Sequence, residues 1–405
     1  MACCKQHESK TMNHKVHAIR AVWAAAPQDY NEASGIFPAP VPIGLRDQTV
    51  RQVIRTSAGG TRIRVRISNI FGQLPLAINE LRVAASMGGS AIDHRTSTHL
   101  QFGGQASVIV PCGAEVWSDW QLFEWTCQSD VAVSMHLLEP TTVATVHTIG
   151  LQTGYVSPGN RVSAPELSDA QEICSSYWLT GVDGMDEAGG PVIVAMGDSI
   201  TDGFMSTPNG NCRYPDVLAK RLAAGGLPHA SVVNAGISGN RLLTDRIGPS
   251  VRSRFERDAL GQSGVSHVIV LIGNNDIGFG GFFPEQAVTA QQIQAGLAQL
   301  VDKARSHGVK IILCTLPPFG GFRAPYVRPG ADDTRQAVNA WIRANAVAAD
   351  GVVDVDALLR DPDLPSHLLP AYDSGDHAHP NDAGYAVIAN GIDGAMFARL
   401  PGLAG

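Results

Sequence analysis

The sequence predicts two regions of different architecture: an all-β sandwich or jelly roll, then a three-layer α/β domain built on a five-stranded parallel sheet. Two observations lead there. Up to about residue 182 the chain consists of short alternating runs split by turn dipeptides, with almost no helical periodicity. Beyond Pro191 five short apolar runs appear, each followed by a loop and then a helical pattern. The 405 residues suffice for two or three domains at about 150 residues each.

Residues 1–20 read as an N-terminal tail. Its start, Met1-Ala2-Cys3-Cys4-Lys5-Gln6-His7-Glu8, has no apolar leader core. As written, the chain is expected in the cytoplasm, or secreted if a leader has been trimmed. The longest apolar runs, 21–26 and 268–272 among them, fall far short of the roughly 18 residues of a membrane span. The β-region is assigned to 21–185. Within it Thr61-Arg62-Ile63-Arg64-Val65-Arg66-Ile67-Ser68 alternates strictly, arginines to one side and aliphatics to the other, as a half-buried strand does. Runs 107–110 and 130–137 are similar, and Gly59-Gly60, Gly88-Gly89 and Gly103-Gly104 mark turns. The polar, glycine-rich stretch 183–190 reads as the joint to the next region. Trp117, Trp120 and Trp125 fall close together; a sugar-stacking platform and plain core or edge cover are both open readings. His147 reads as a structural histidine within reach of the cleft between the regions.

The second region is assigned to 190–402. Its apolar runs are 192–196, 231–235, 267–272, 310–316 and 351–355, and its amphipathic segments about 214–224, 250–260, 287–306 and 334–348, with a last one after Asn381. Strands apolar on both faces and alternating with helices form a parallel sheet covered on both sides, in a doubly wound domain of flavodoxin-like type. In that architecture functional groups gather beyond the C-terminal ends of the strands.

Composition excludes several classes. Thirty Lys and Arg against 37 Asp and Glu leave a net charge of −7, which opposes a nucleic-acid surface. With 17% charged and 44% apolar residues the chain is globular, not disordered. The seven cysteines are scattered, with no CxxC and no Cys/His cluster at ligand spacing. Neither a zinc site nor a tight disulfide framework is expected, nor any cofactor. Oligomeric state is not legible.

The unusual residues fall at strand ends. The first strand runs into Gly197-Asp198-Ser199-Ile200-Thr201-Asp202-Gly203, where free backbone N–H groups and a helix start suit a hydroxyl that becomes or holds an anion. Thr201 stands where a G-x-S-x-G elbow needs its second glycine, so that motif is absent. The second strand ends in Asn234-Ala235-Gly236-Ile237-Ser238-Gly239-Asn240 and the third in Gly273-Asn274-Asn275-Asp276, bringing glycines and uncharged amide donors to the same rim. Near the C-terminus, Asp373-Ser374-Gly375-Asp376-His377-Ala378-His379-Pro380 precedes the final helix. Asp376 and His379 are close enough for a carboxylate to hold an imidazole in one tautomer, with His377 as the rival. A metal would need further ligands at short spacing, and none follow. Together these residues supply a nucleophile, oxyanion donors and an oriented base, the parts needed for acyl transfer.

Four blocks of this region resemble the GDSL family of esterases, also called SGNH hydrolases: Gly197-Asp198-Ser199, Gly239 in Ile237-Ser238-Gly239-Asn240, Asn275 in Gly273-Asn274-Asn275-Asp276, and Asp376 with His379 in Asp376-His377-Ala378-His379-Pro380. Ile200 stands where the nominal motif has Leu, and Asn274 adds a polar group beside Asn275. Val50-Arg51-Gln52-Val53, Arg64-Val65-Arg66-Ile67-Ser68-Asn69-Ile70-Phe71-Gly72 and Thr148-Ile149-Gly150-Leu151-Gln152-Thr153 resemble the N-terminal β-domain of a two-domain, xylan-esterase-like subfamily.

The resemblance implies a serine esterase with a Ser199–His379–Asp376 triad and an oxyanion hole of the Ser199 and Gly239 N–H groups and the Asn275 amide. It implies short-chain acyl esters as substrates, acetylated carbohydrates among them, with no cofactor, metal, nucleic acid or membrane span. Asp198 and Asp276 are expected to brace their own loops, and 204–213 is a candidate rim of the acyl pocket. Two alternatives stay open: an acyltransferase using the same acyl-enzyme, and a vestigial carbohydrate-binding protein.

Overall fold

The computed structural model describes residues 18–32, 43–186, 188–345 and 348–398. Most of the expected tail, Cys3 and Cys4 included, and the end of the second region lie outside the described residues. Among the described residues no helix is long and apolar enough to cross a membrane.

The first half is β-rich. One antiparallel sheet joins Ala18–Ala24, Leu179–Asp186, Gly60–Ser68, Glu115–Trp117 and Gln121–Trp125. A second is centred on Gln48–Arg55 and Asp130–Leu137, flanked by Gly154–Pro158 and Glu80–Gly88. Alternation sends Ile63, Val65 and Ile67 of the first sheet and Val50, Ile54, Val131 and Val133 of the second into one apolar core. On the other face of Gly60–Ser68, Arg64 and Arg66 are covered while Arg62 is exposed. Arg64 lies 4.4 Å from the Trp117 ring centre and 4.8 Å from that of Trp120. Two of the three clustered tryptophans thus cover arginines. The third, Trp125, donates its indole N–H to Ala58 C=O at 2.9 Å.

The expected joint at 183–190 begins inside a strand, because Leu179–Asp186 pairs with Gly60–Ser68 as far as Met185. Asp183 is buried and accepts from Arg64 and from Ser263 at 2.7–2.9 Å. Gly184 is needed beside Trp125, whose ring a Cβ would meet at 2.9 Å. Over 183–186 the polar, glycine-rich composition reflects strand pairing.

The second half holds a five-stranded parallel sheet of Val192–Gly197, Ser231–Gly236, Val265–Leu271, Lys310–Cys314 and Gly351–Val353, in the spatial order second-first-third-fourth-fifth. Successive residues serve opposite faces. Val192, Val194 and Met196 pack toward helices Val251–Phe255, Ala290–Ser306 and Ala331–Ala344. Ile193 and Ala195 pack toward Tyr214–Ala224 and Asp382–Gly391. Thr289 caps Ala290–Ser306 in a reciprocal box with Gln292. The helix expected over 250–260 widens after Phe255 into a π turn, in which Gly261 N–H reaches Glu256 C=O at 2.7 Å.

Among the helices not foreseen are the short Val355–Leu359 after the fifth strand and a longer one after the third. Asn274–Phe282 follows the third strand directly, although Gly278, Gly280 and Gly281 lower its propensity. A Cβ at Gly278 would run into the Tyr326 ring, and one at Gly281 into Pro325 C=O, so the glycines let the 320s loop lie on the helix.

Arg254 is 1% exposed. It donates to Gly197 C=O at 2.9 Å, Ala235 C=O at 2.6 Å, Asn240 Oδ1 at 3.1 Å and Asp258 at 3.2 Å. Arg254→Met should lower unfolding free energy by about 3 kcal/mol in urea titration, since it removes four buried hydrogen bonds at once and leaves Asp258 with Arg257 as its remaining partner. His267, buried edge-on against Phe397, is pushed by burial down to about 4. Below its unfolded value of 6.5 the unfolded chain takes up a proton that the folded chain refuses, so stability falls as pH drops from 6.5 toward 4. His267→Gln should lose less stability over that interval than the parent, read by urea titration at a series of pH values.

Candidate active site

Ser199 opens a four-residue helix, Ser199–Asp202, immediately beyond the first strand. Gly197 is required at the strand end, where a Cβ would run into Thr201 and Leu271 C=O. Asp198 Oδ1 caps the turn by accepting from Ile200 N–H at 3.0 Å. Burial pushes the Asp198 carboxyl up to about 7, opposed by that N–H and by His379. Gly203 and Phe204 N–H both donate to Ser199 C=O, at 2.8 and 2.9 Å. The serine is thereby fixed at the backbone while its hydroxyl points to the cavity.

Ser199 Oγ lies 2.7 Å from His379 Nε2, and His379 Nδ1 lies 2.6 Å from Asp376 Oδ2. Asp376 Oδ1 accepts from Ala378 and His379 N–H, both at 2.9 Å. Burial alone would raise the Asp376 carboxyl. The His379 hydrogen bond and charge and the two N–H groups outweigh it and hold the carboxyl well below its usual range. An ionised acceptor at Nδ1 keeps the proton on that nitrogen and leaves the Nε2 lone pair for the serine hydroxyl. The imidazole packs edge-on against Phe204 at 4.8 Å and Phe322 at 6.3 Å.

Gly239 has φ +79, and a Cβ there would meet Ile247 at 2.9 Å. The N–H groups of Ser199 and Gly239 donate to no other described residue. Asn275, in the first turn of Asn274–Phe282, is fixed at both ends of its amide. Nδ2 donates to Asn240 C=O at 2.9 Å, and Oδ1 accepts from Tyr326 OH at 3.0 Å. One amide hydrogen is left for the cavity. Asn274 turns its amide to Pro317 C=O at 3.1 Å, and its Oδ1 is buried without a partner.

Ser199, Gly239, Asn275 and His379 line one cavity of about 470 Å³, and Asp376 lies directly behind the imidazole. His377 is not among the lining residues. Its Nδ1 bonds Asp373 at 2.6 Å, half exposed. Asp276 braces the loop after the second strand instead of its own, accepting from Leu242 and Leu243 N–H at 2.7 and 2.9 Å. Burial pushes it up to about 6. Of the expected rim 204–213 only Phe204 lines the cavity. Asn209 instead bonds Thr153, and Arg213 bonds Asp216. His147 is buried, with Nδ1 on Ala26 C=O at 3.0 Å and Nε2 on Asp202 at 2.9 Å. Burial would lower this imidazole, but the Asp202 charge and hydrogen bond raise it above the ordinary value. None of the clustered tryptophans reaches the cavity.

Sequence reasoning missed Tyr326 and the wall of Phe279, Phe282, Phe319 and Phe322. Apart from the phenylalanines' clustering between 279 and 322, nothing in the pattern marked them. Among the described residues no three His, Cys, Asp or Glu side chains converge to hold a metal ion.

Residues 195–387 match the model of the GDSL-like Lipase/Acylhydrolase family. No curated protein matches the chain. Solved structures that it resembles include a GDSL-like lipase from Bacteroides thetaiotaomicron, 22% identical with a TM-score of 0.39, covering 51% of this chain and 87% of the other. LAE5, an alpha/beta hydrolase enzyme from the metagenome of Lake Arreo, is 26% identical with a TM-score of 0.39, covering 50% and 94%. A variant of Axe2, an acetyl xylan esterase from Geobacillus stearothermophilus, is 27% identical with a TM-score of 0.38, covering 50% and 92%. The segment 195–387 is thus a GDSL-like lipase/acylhydrolase domain, preceded in this chain by a separate β-rich region, and the protein is an enzyme of the serine hydrolase class.

Proposed function

We propose that the protein is a carboxylic ester hydrolase in which Ser199 is the nucleophile, His379 the general base and acid, and Asp376 the group that orients and compensates the imidazolium. The carrying observation is the unbroken line of two short hydrogen bonds, Asp376 to His379 at 2.6 Å and His379 to Ser199 at 2.7 Å. As Oγ attacks the ester carbonyl, its proton passes to Nε2 and the carbonyl electron pair moves onto oxygen. The Ser199 and Gly239 N–H groups and the free Asn275 amide hydrogen receive that oxyanion. The intermediate collapses, and the leaving alkoxide takes the proton from His379. Water, deprotonated by the same nitrogen, then attacks the acyl-enzyme, releasing the acid and restoring Ser199. In this proposal residues 21–185 form an accessory domain and 190–402 the catalytic one. Short-chain acyl esters, acetylated carbohydrates among them, are esters that this chemistry accepts.

A fluorophosphonate probe should label Ser199 and leave Ser199→Ala unlabelled, whereas a vestigial sugar-binding protein takes up no label. Ser199→Ala should lose about 10⁴-fold or more in kcat on a p-nitrophenyl ester. Full activity in that variant overturns the assignment. Asn275→Ala, checked as folded by circular dichroism, should lose about 10²–10³-fold in kcat through one missing oxyanion donor.

A further inference from the structure

The cavity beside Ser199 has walls that a small hydrophilic ester does not need. Phe279 and Phe282 come from the unforeseen helix Asn274–Phe282, Phe319 and Phe322 from the loop after the fourth strand, and Ile149 from the β-rich region. Tyr326 holds this wall together, meeting Phe279, Phe319 and Phe322 edge-on with ring centres 5.0–5.9 Å apart. At about 470 Å³ the space falls within the roughly 300–1,000 Å³ of small-molecule sites, and an acetyl group fills little of it.

Polar atoms are few there beyond those facing the reacting carbonyl. Asn274 spends Nδ2 on Pro317 C=O and keeps an unpartnered Oδ1, Ser238 donates its hydroxyl to Asp202, and Thr148 and the exposed Arg323 complete the polar lining. A sugar ring seated among these rings would leave most of its hydroxyls without partners, each at a desolvation cost.

The contribution from the β-rich region is fixed in place. His147, two residues before Ile149, is anchored on Asp202 and Ala26, and Leu151, two residues after, accepts from Asn209 N–H at 2.9 Å. Ile149 is therefore pinned on both sides to the half that holds Ser199.

We infer that the ester taken here carries a bulky apolar group, several methylenes or an aromatic ring, and that Ile149 helps to select it. This deepens the ester-hydrolase reading and rests on it. The apolar group sits on either the acyl or the alcohol side, so two series of substrates are needed. One is p-nitrophenyl acetate, butyrate, hexanoate, octanoate and benzoate; the other is acetates of alcohols of increasing size. Acetylated xylan is the comparison, and fluorophosphonate labelling of Ser199 runs alongside.

In at least one series kcat/KM should rise by up to about fourfold per added methylene until the cavity is filled, and at least about tenfold in all. Acetylated xylan should be slower than the best apolar ester. Ile149→Ala should reduce the ratio of kcat/KM for the preferred apolar ester to that for acetate by about threefold or more; an unchanged ratio in folded protein strikes out that residue's part. Both series flat or falling with size, or acetylated xylan fastest, while Ser199 still labels, overturns the inference and leaves the hydrolase reading intact. No labelling and no turnover on any ester removes the hydrolase reading, and the inference with it.

Discussion

A single buried guanidinium sets the starting points of two of the loops around the cavity. Arg254 adds a second hydrogen bond to two carbonyls at the ends of adjacent parallel strands, Gly197 and Ala235, the first of which also accepts from Ile237 N–H at 3.1 Å. A charge in that interior carries a desolvation penalty, which Asp258 and the gathered acceptors offset in part. Asn240 accepts from the same guanidinium and passes the constraint on, since its C=O accepts from Asn275. The end of the first strand, the glycine turn after the second and the amide after the third are therefore referred to one fixed point.

Three carboxyls around the cavity have been driven apart by their surroundings. Asp376 faces an imidazole and two N–H groups and stays ionised. Asp198 has one N–H inside an apolar surround, and burial wins. Asp276 has two N–H groups and still rises, because it is enclosed on all sides. Burial sets the direction for the two enclosed groups, and a directly bonded imidazole reverses it for the third.

Much of the α/β half could be read from sequence because burial on both faces leaves plain apolar runs, as in 192–196 and 310–316. Reading strand ends as the working rim also brought Ser199 and His379, 180 positions apart, onto one edge before any coordinates. Legibility failed where glycine served packing instead of turning. Gly278, Gly280 and Gly281 argue against a helix locally; the distant loop bearing Tyr326 explains the first and last, and close approach of Ala287 the middle one. Gly184 beside Trp125 misled in the same way, giving a strand the composition of a linker. The aromatic wall stayed hidden because its members come from separate elements and share no period.

The bridge from His147 to Asp202 bears on how this enzyme is organised as a piece of heredity. Asp202 also accepts from the Ser238 hydroxyl and N–H, so it joins three segments: the β-rich region, the turn that bears Ser199, and the glycine turn beside it. Ser57 and Ser231 add a second buried seam between the halves. The α/β half is in this way tied to the β-rich half through buried polar groups. Excising it would uncover a carboxylate whose counterpart belongs to the other half, and would leave the turn that carries Ser199 short of one of its struts.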